Sequence, residues 1–113
     1  MLTLLLMSLA TASAPASDGA FRCSPGDQVF STKAALPAPA RRALRSFAES
    51  GQPIVSPDIH SLAGEGSDLP SKGFVSACRR GDLIAVEYSD ARHGFRRDWL
   101  VLRKDGKGWR QVR

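Results

Sequence analysis

The stretch GFVSACRRGDLIAVEYSDARHGFRRDWLVLRKDGKGWRQVR, residues 73–113, decides the fold. It divides into short aliphatic and aromatic runs bounded by Gly and Asp, a pattern that favours strands over helices. Four strands are predicted, joined as an antiparallel meander. The first runs from Gly73 to Arg79 and turns at Arg80-Gly81. The second, Leu83 to Tyr88, alternates Ile84, Val86 and Tyr88 on one face with Leu83, Ala85 and Glu87 on the other. The third, Phe95 to Lys104, sets Leu100 and Leu102 against Trp99 and Val101. Asp105-Gly106 is a hairpin signal, and Gly108 to Val112 supplies the last strand.

Upstream, Pro37 to Ser50 carries Ala40, Ala43, Leu44, Phe47 and Ala48 at three-and-four spacing, the stripe of an amphipathic helix. Pro37 and Pro39 suit its start, and Gly51 followed by Pro53 suits its stop. Arg41, Arg42, Arg45 and Glu49 lie on the opposite face, and two of the arginines fall in the first turn, where they oppose the helix dipole. A helix over about residues 38–50, packed on one face of the meander, makes the expected class α+β. Gln28 to Ser31 is a weak fifth strand candidate. Gln52 to Lys72 reads as irregular, with Ser56-Pro57-Asp58 opening one helical turn to Leu62 and Gly64 to Ser67 forming a loop.

The first sixteen residues, MLTLLLMSLATASAPA, read as a signal peptide cut after Ala16. The apolar run is too short to span a membrane, which takes about 20 residues. No Lys or Arg precedes it, and a buried N-terminal helix is the competing reading. Removing sixteen of the 113 residues leaves residues 17–113, 97 in all, as a single small domain. The expected location is the periplasm or the extracellular space. In an oxidising compartment the two cysteines, Cys23 and Cys78, are expected to form one disulfide. Arg22 precedes Cys23 where a lipobox needs a small residue, so a lipid anchor is not expected.

Charge is concentrated at one end. Residues 92–113 hold eight basic side chains against Asp98 and Asp105, an excess of six; the whole chain is +5, so the first 91 residues net to −1. Such a field attracts acidic partners. Outside the cytoplasm these are an acidic protein or an envelope polyanion rather than nucleic acid. The plain alternative is a sheet face kept soluble by arginines. Alternation places Arg97 and Arg103 on one face of the third strand and Arg96 and Lys104 on the other. Around its loop end, Arg92, His93, Phe95, Arg96 and Arg97 form the preferred contact site, because guanidinium groups bind carboxylates and phosphates bidentately.

Catalytic chemistry finds little footing. His60 lies near Asp58, Ser56 and Ser61, but no nucleophile elbow accompanies them, and a capped turn explains the acid and the serine. His93 beside Gly94 reads first as a loop histidine. Neither cysteine sits in a C-x-x-C spacing, and no ligand cluster predicts a metal. Gly64-Glu65-Gly66 lacks the lysine and helix of a phosphate loop. Cofactors are not expected. The sequence therefore predicts a small exported, non-enzymatic binding module. An inhibitor or immunity-type protein acting through its basic C-terminal hairpin region fits that description. The alternatives are an envelope polyanion or lipid-headgroup binder, or a small hydrolase using His60 or His93. Small exported lysozyme inhibitors and periplasmic immunity proteins share the size, signal and single disulfide, but these traits are generic and assign no residue a role.

Overall fold

The computed structural model describes residues 18–56, 69–92 and 94–112. The expectations for the leader (residues 1–16), for Asp58, His60 and the Gly64–Ser67 loop, and for His93 fall outside them. Five strands form one antiparallel sheet in sequence order: β1 (Gln28–Phe30), β2 (Lys72–Arg80), β3 (Leu83–Asp90), β4 (Arg96–Asp105) and β5 (Gly108–Gln111). The four-stranded meander is thus present, and the weak Gln28 signal becomes a real fifth strand at its edge. Both tight turns follow one rule. Gly81 (φ 61°) and Gly106 (φ 63°) each open a two-residue loop with positive φ, the requirement of a II′ hairpin turn.

The helix is shorter than its periodicity suggests. α1 spans Ala38–Ala43, and Leu44 to Phe47 continues as tightened turns with Leu44 N–H bonded to Arg41 O and Phe47 N–H to Leu44 O. Mostly β, with one short helix among the described residues, is therefore the better statement of the class. Two competitors for the backbone stop the helix. Ala48 is taken as a strand partner beside Gly73, donating to Lys72 O at 2.8 Å and accepting from Phe74 N–H at 2.9 Å. Lys33 Nζ caps the carbonyls of Phe47 (2.6 Å) and Leu44 (3.4 Å). The apolar stripe survives because a tight turn buries the same side chains: Ala40, Leu44, Phe47 and Ala48 are buried, while Ala43 is exposed. Arg41 has a structural use despite the dipole, its Nη1 donating to Leu36 O at 2.7 Å.

Both faces of the sheet are covered in the middle, for different reasons. On one face Phe30, Phe74, Ile84, Val86, Tyr88, Leu100, Leu102 and Trp109 pack under Leu36, Ala40, Leu44 and Phe47 to form the core. A bulge at Val75, between Phe74 and Ser76, lets Phe74 and Ala77 share that face. Trp109 lies across from Lys104 and so shares the Leu102 face, while Val101 points the other way. On the second face an N-terminal strap, Asp18 to Cys23, crosses the sheet. Cys23 is bonded to Cys78 with Cα atoms 5.6 Å apart, Arg22 lies over the Trp99 ring at 5.3 Å, and Arg103 pairs with Asp18. On the same face Cys78, Ala85 and Val101 are fully buried.

Glu49 ties the segment after the helix to the one before it. Its carboxylate accepts from the N–H groups of Lys33 (2.6 Å), Ala34 (2.8 Å) and Ser50 (2.7 Å). Burial pushes the Glu49 carboxyl up, but these three N–H donors outweigh it and hold it below its ordinary value of 4.5. A depressed folded-state value means stabilisation that is present above the unfolded-state value and lost as pH falls through the folded one. Asp90 acts in the same direction, held low by Arg92. Stability should therefore hold from neutral pH to about pH 5 and decline below about pH 4.5. Glu49→Ala should cost about 1–3 kcal/mol at neutral pH by orphaning N–H groups, and should flatten the acid decline. Denaturant titrations across pH check both; an unchanged acid profile in Glu49→Ala would remove Glu49 as the clasp.

Candidate functional site

The β3–β4 connection begins with a buried anchor and ends with an exposed aromatic. Ala91 is buried and donates to Ser71 O at 2.7 Å. Asp90 then accepts from Arg92, with Nε to Oδ1 at 3.1 Å and Nη2 to Oδ2 at 2.9 Å, while Arg92 N–H also donates to Oδ1 at 2.9 Å. That pairing, more than any other cause, holds the Asp90 carboxyl below its ordinary range. Gly94 and Phe95 follow with φ of 94° and 59°. Phe95 precedes β4 rather than belonging to it, and it is the described non-glycine residue with positive φ. A bulky side chain in this region is strained, and such strain clusters at functional positions. The residue is 57% exposed.

The arginines beyond it diverge. Arg96 lies opposite Asp90 on the helix side, where Asp90, Arg92, Arg96 and Asp98 line a cavity of about 210 Å³. Two cations and two carboxylates share that space. Arg97 lies opposite Ser89 on the strap side, its Nη1 3.2 Å from Glu87 Oε2. Strand alternation explains the split. The structure thus brings Arg92 and Arg96 together, places Phe95 and Arg97 on the other side, and leaves His93 outside the described residues.

Phe95 and Arg97 line a second, larger cleft of about 400 Å³. Its floor is the half of the sheet the strap leaves open: Gly73 in β2 faces Ser89 in β3, which faces Arg97 in β4. The segment Glu49–Ile54 forms the opposite wall. Gly73 makes this approach possible, since a Cβ there would lie 3.2 Å from Ile54 Cγ2. Sequence reading missed Ser50, Gln52, Gly73 and Ser89 as site residues. A glycine inside a strand pattern is a signal of close backbone approach, and Gly73 was available to be read that way.

Half of the eight basic side chains in residues 92–113 are paired with acids in space. Arg92 pairs with Asp90, Arg97 with Glu87, Arg103 with Asp18 and Arg110 with Asp105. Three of these four acids lie outside residues 92–113, so the sequence segment exaggerates the local field. Arg96, Lys104 and Lys107 form no ion pair with a described acid. Among the described residues no helix is long and apolar enough to cross a membrane, and no group of His, Cys, Asp and Glu gathers as a metal site. No family model, curated protein or solved structure matches the chain.

Proposed function

We propose that the protein is a small exported, non-enzymatic binding module that engages an acidic macromolecule at the Phe95–Arg97 cleft. The observation that carries the reading is Phe95 itself, a large ring held exposed at positive φ on the rim of a formed cleft. Exposed aromatic and arginine side chains are the usual anchors of binding surfaces. A polyanion held by diffuse attraction is the weaker reading, because Arg92, Arg97, Arg103 and Arg110 of the basic region are already paired with acids. Export rests on the leader-like residues 1–16 and agrees with a disulfide. The non-enzymatic reading rests on the shortage of groups that titrate near neutrality. Glu49, the carboxylate on the cleft, is kept ionised by its N–H donors and is a poor acid at neutral pH.

Phe95→Gly tests the proposal without unfolding the protein. Relief of the left-handed conformation, about 1–2 kcal/mol, offsets the lost partial burial of the ring, about 1 kcal/mol, and the added freedom of the unfolded chain. Stability should stay within about 1 kcal/mol of wild type, against the roughly 3–5 kcal/mol of a core Phe. Capture of its partner from envelope extract should fall at least about tenfold at both low and moderate salt. Equal capture by Phe95→Gly and wild type at both salts would reduce the site to an ordinary surface. A hydrolase using His60 or His93 predicts instead that either His→Ala variant loses function while still binding.

A further inference from the structure

We infer that the Phe95–Arg97 cleft is a saccharide subsite, and that the sugar it takes carries a carboxylate, as a uronic acid does. This rests on the binding-module reading and gives its acidic partner a chemical class. The argument starts from what the cleft withholds. The outer edge of β2 is already occupied there: Lys72 O accepts from Ala48 N–H, and Phe74 N–H donates to Ala48 O. An extended peptide therefore finds no free strand edge to pair with, which removes the usual source of main-chain affinity for peptides.

What the cleft offers instead suits a hydroxyl-rich ring. Ser50, Gln52 and Ser89 line it, and the side chain of none of them hydrogen-bonds a described residue. A hydroxyl and a carboxamide both donate and accept, matching sugar hydroxyls that do the same. Gly73 lets Ile54 close onto the sheet and Ser89 keeps the remaining floor small-sided, so a flat ring can lie between the Glu49–Ile54 wall and Phe95. The exposed Phe95 ring presents an apolar π face to the C–H face of a sugar, a contact that asks for no hydrogen bond. A volume of about 400 Å³ falls within the range of small-ligand sites.

Arg97 supplies the carboxylate recognition. Its side chain is 59% exposed, and its ion pair to Glu87 uses Nη1 alone. Guanidinium has five N–H donors, so a fork remains for an incoming carboxylate. Glu87 balances the Arg97 charge, so recognition falls to the remaining N–H fork; Glu49, the ionised carboxylate on the cleft, has its oxygens taken by the Lys33, Ala34 and Ser50 N–H groups and does not compete for that fork.

The test is an amide NMR titration of the full chain with three probes of equal length: trigalacturonate, the neutral cellotriose and triglutamate. Trigalacturonate should perturb Ser50–Gln52, Gly73, Ser89 and Phe95–Arg97, and should bind at least tenfold more tightly than either other probe. Arg97→Gln should cut trigalacturonate binding at least tenfold and leave cellotriose unchanged, while Phe95→Gly should weaken both sugars. An unperturbed cleft, or cellotriose binding as well as trigalacturonate, overturns the inference. Triglutamate binding as well as trigalacturonate overturns it too, and points to an acidic protein. Should the uronate fail while Phe95→Gly still loses capture from envelope extract, the saccharide assignment falls and the docking site stands. If Phe95→Gly keeps full capture, the binding reading falls as well.

Discussion

Reducing the Cys23–Cys78 bridge, or replacing both cysteines by alanine, is expected to lower the unfolding free energy by about 4 kcal/mol. The bonded residues are 55 apart in sequence, so reduction returns the freedom of a long loop to the unfolded chain. In the folded state the two cysteines differ. Cys78 is fully buried in β2, whereas Cys23 is exposed on the strap, so opening the bridge frees the strap and leaves the sheet intact. The remaining ties are surface contacts: Asp18 with Arg103, Asp27 with Arg80, Arg22 on Trp99 and Arg80 on Phe21. Exposed ion pairs and cation–π contacts are weak substitutes for a covalent link. Denaturant unfolding with and without reductant measures the difference. A change under about 1 kcal/mol would mean that those contacts already close the loop, and that the bridge is incidental.

Leu44→Ala should be the other large effect, costing about 2–5 kcal/mol. Leu44 follows the last residue of α1, where the chain leaves helical geometry, yet it is 1% exposed and belongs to the core with Phe30, Ile84, Leu102 and Trp109. Removing its branched end empties space between the helical segment and β5, and close-packed neighbours relax only partly into such a void. A six-residue helix has almost no stability of its own, so its seat on the sheet is what keeps it folded. Arg45→Ala, one residue on and exposed, should change stability by no more than about 0.5 kcal/mol. Equal small effects at both positions, read by thermal or denaturant unfolding, would mean that this segment is not seated as described.

The meander was readable because period-two alternation and Gly-containing turns are local signals. The Leu100/Leu102 and Trp99/Val101 division, the Asp105-Gly106 hairpin and the separation of Arg96 from Arg97 all follow from them. The helix length was not readable, since what ends α1 comes from Gly73 and Lys33, remote in sequence or on another element. Three-and-four spacing cannot distinguish a helix from a helix followed by tight turns when both bury Ala40, Leu44 and Phe47. Charge was legible only as a sum. Glu87, Asp90 and Asp18 cancel arginines elsewhere in the chain, which no segment count reveals. The cleft escaped because its walls come from segments on either side of a long stretch of chain. Phe95 was named for its chemistry, but its exposed, left-handed placement came from the structure.

The strand order has a kinetic consequence. Each of β2 to β5 pairs with the strand next to it in sequence across a short connection, so these pairings close small loops and form early. Joining β1 to β2 is the exception, because Phe30 must find Ala77 across most of the helix-bearing half of the chain. Thiol oxidation faces that same search. With two cysteines there is one intramolecular pairing and nothing to reshuffle, so an oxidant meets a hairpin array whose Cys78 already lies at its final register beside Ala85. The bridge records the last long-range closure in the fold instead of guiding the first.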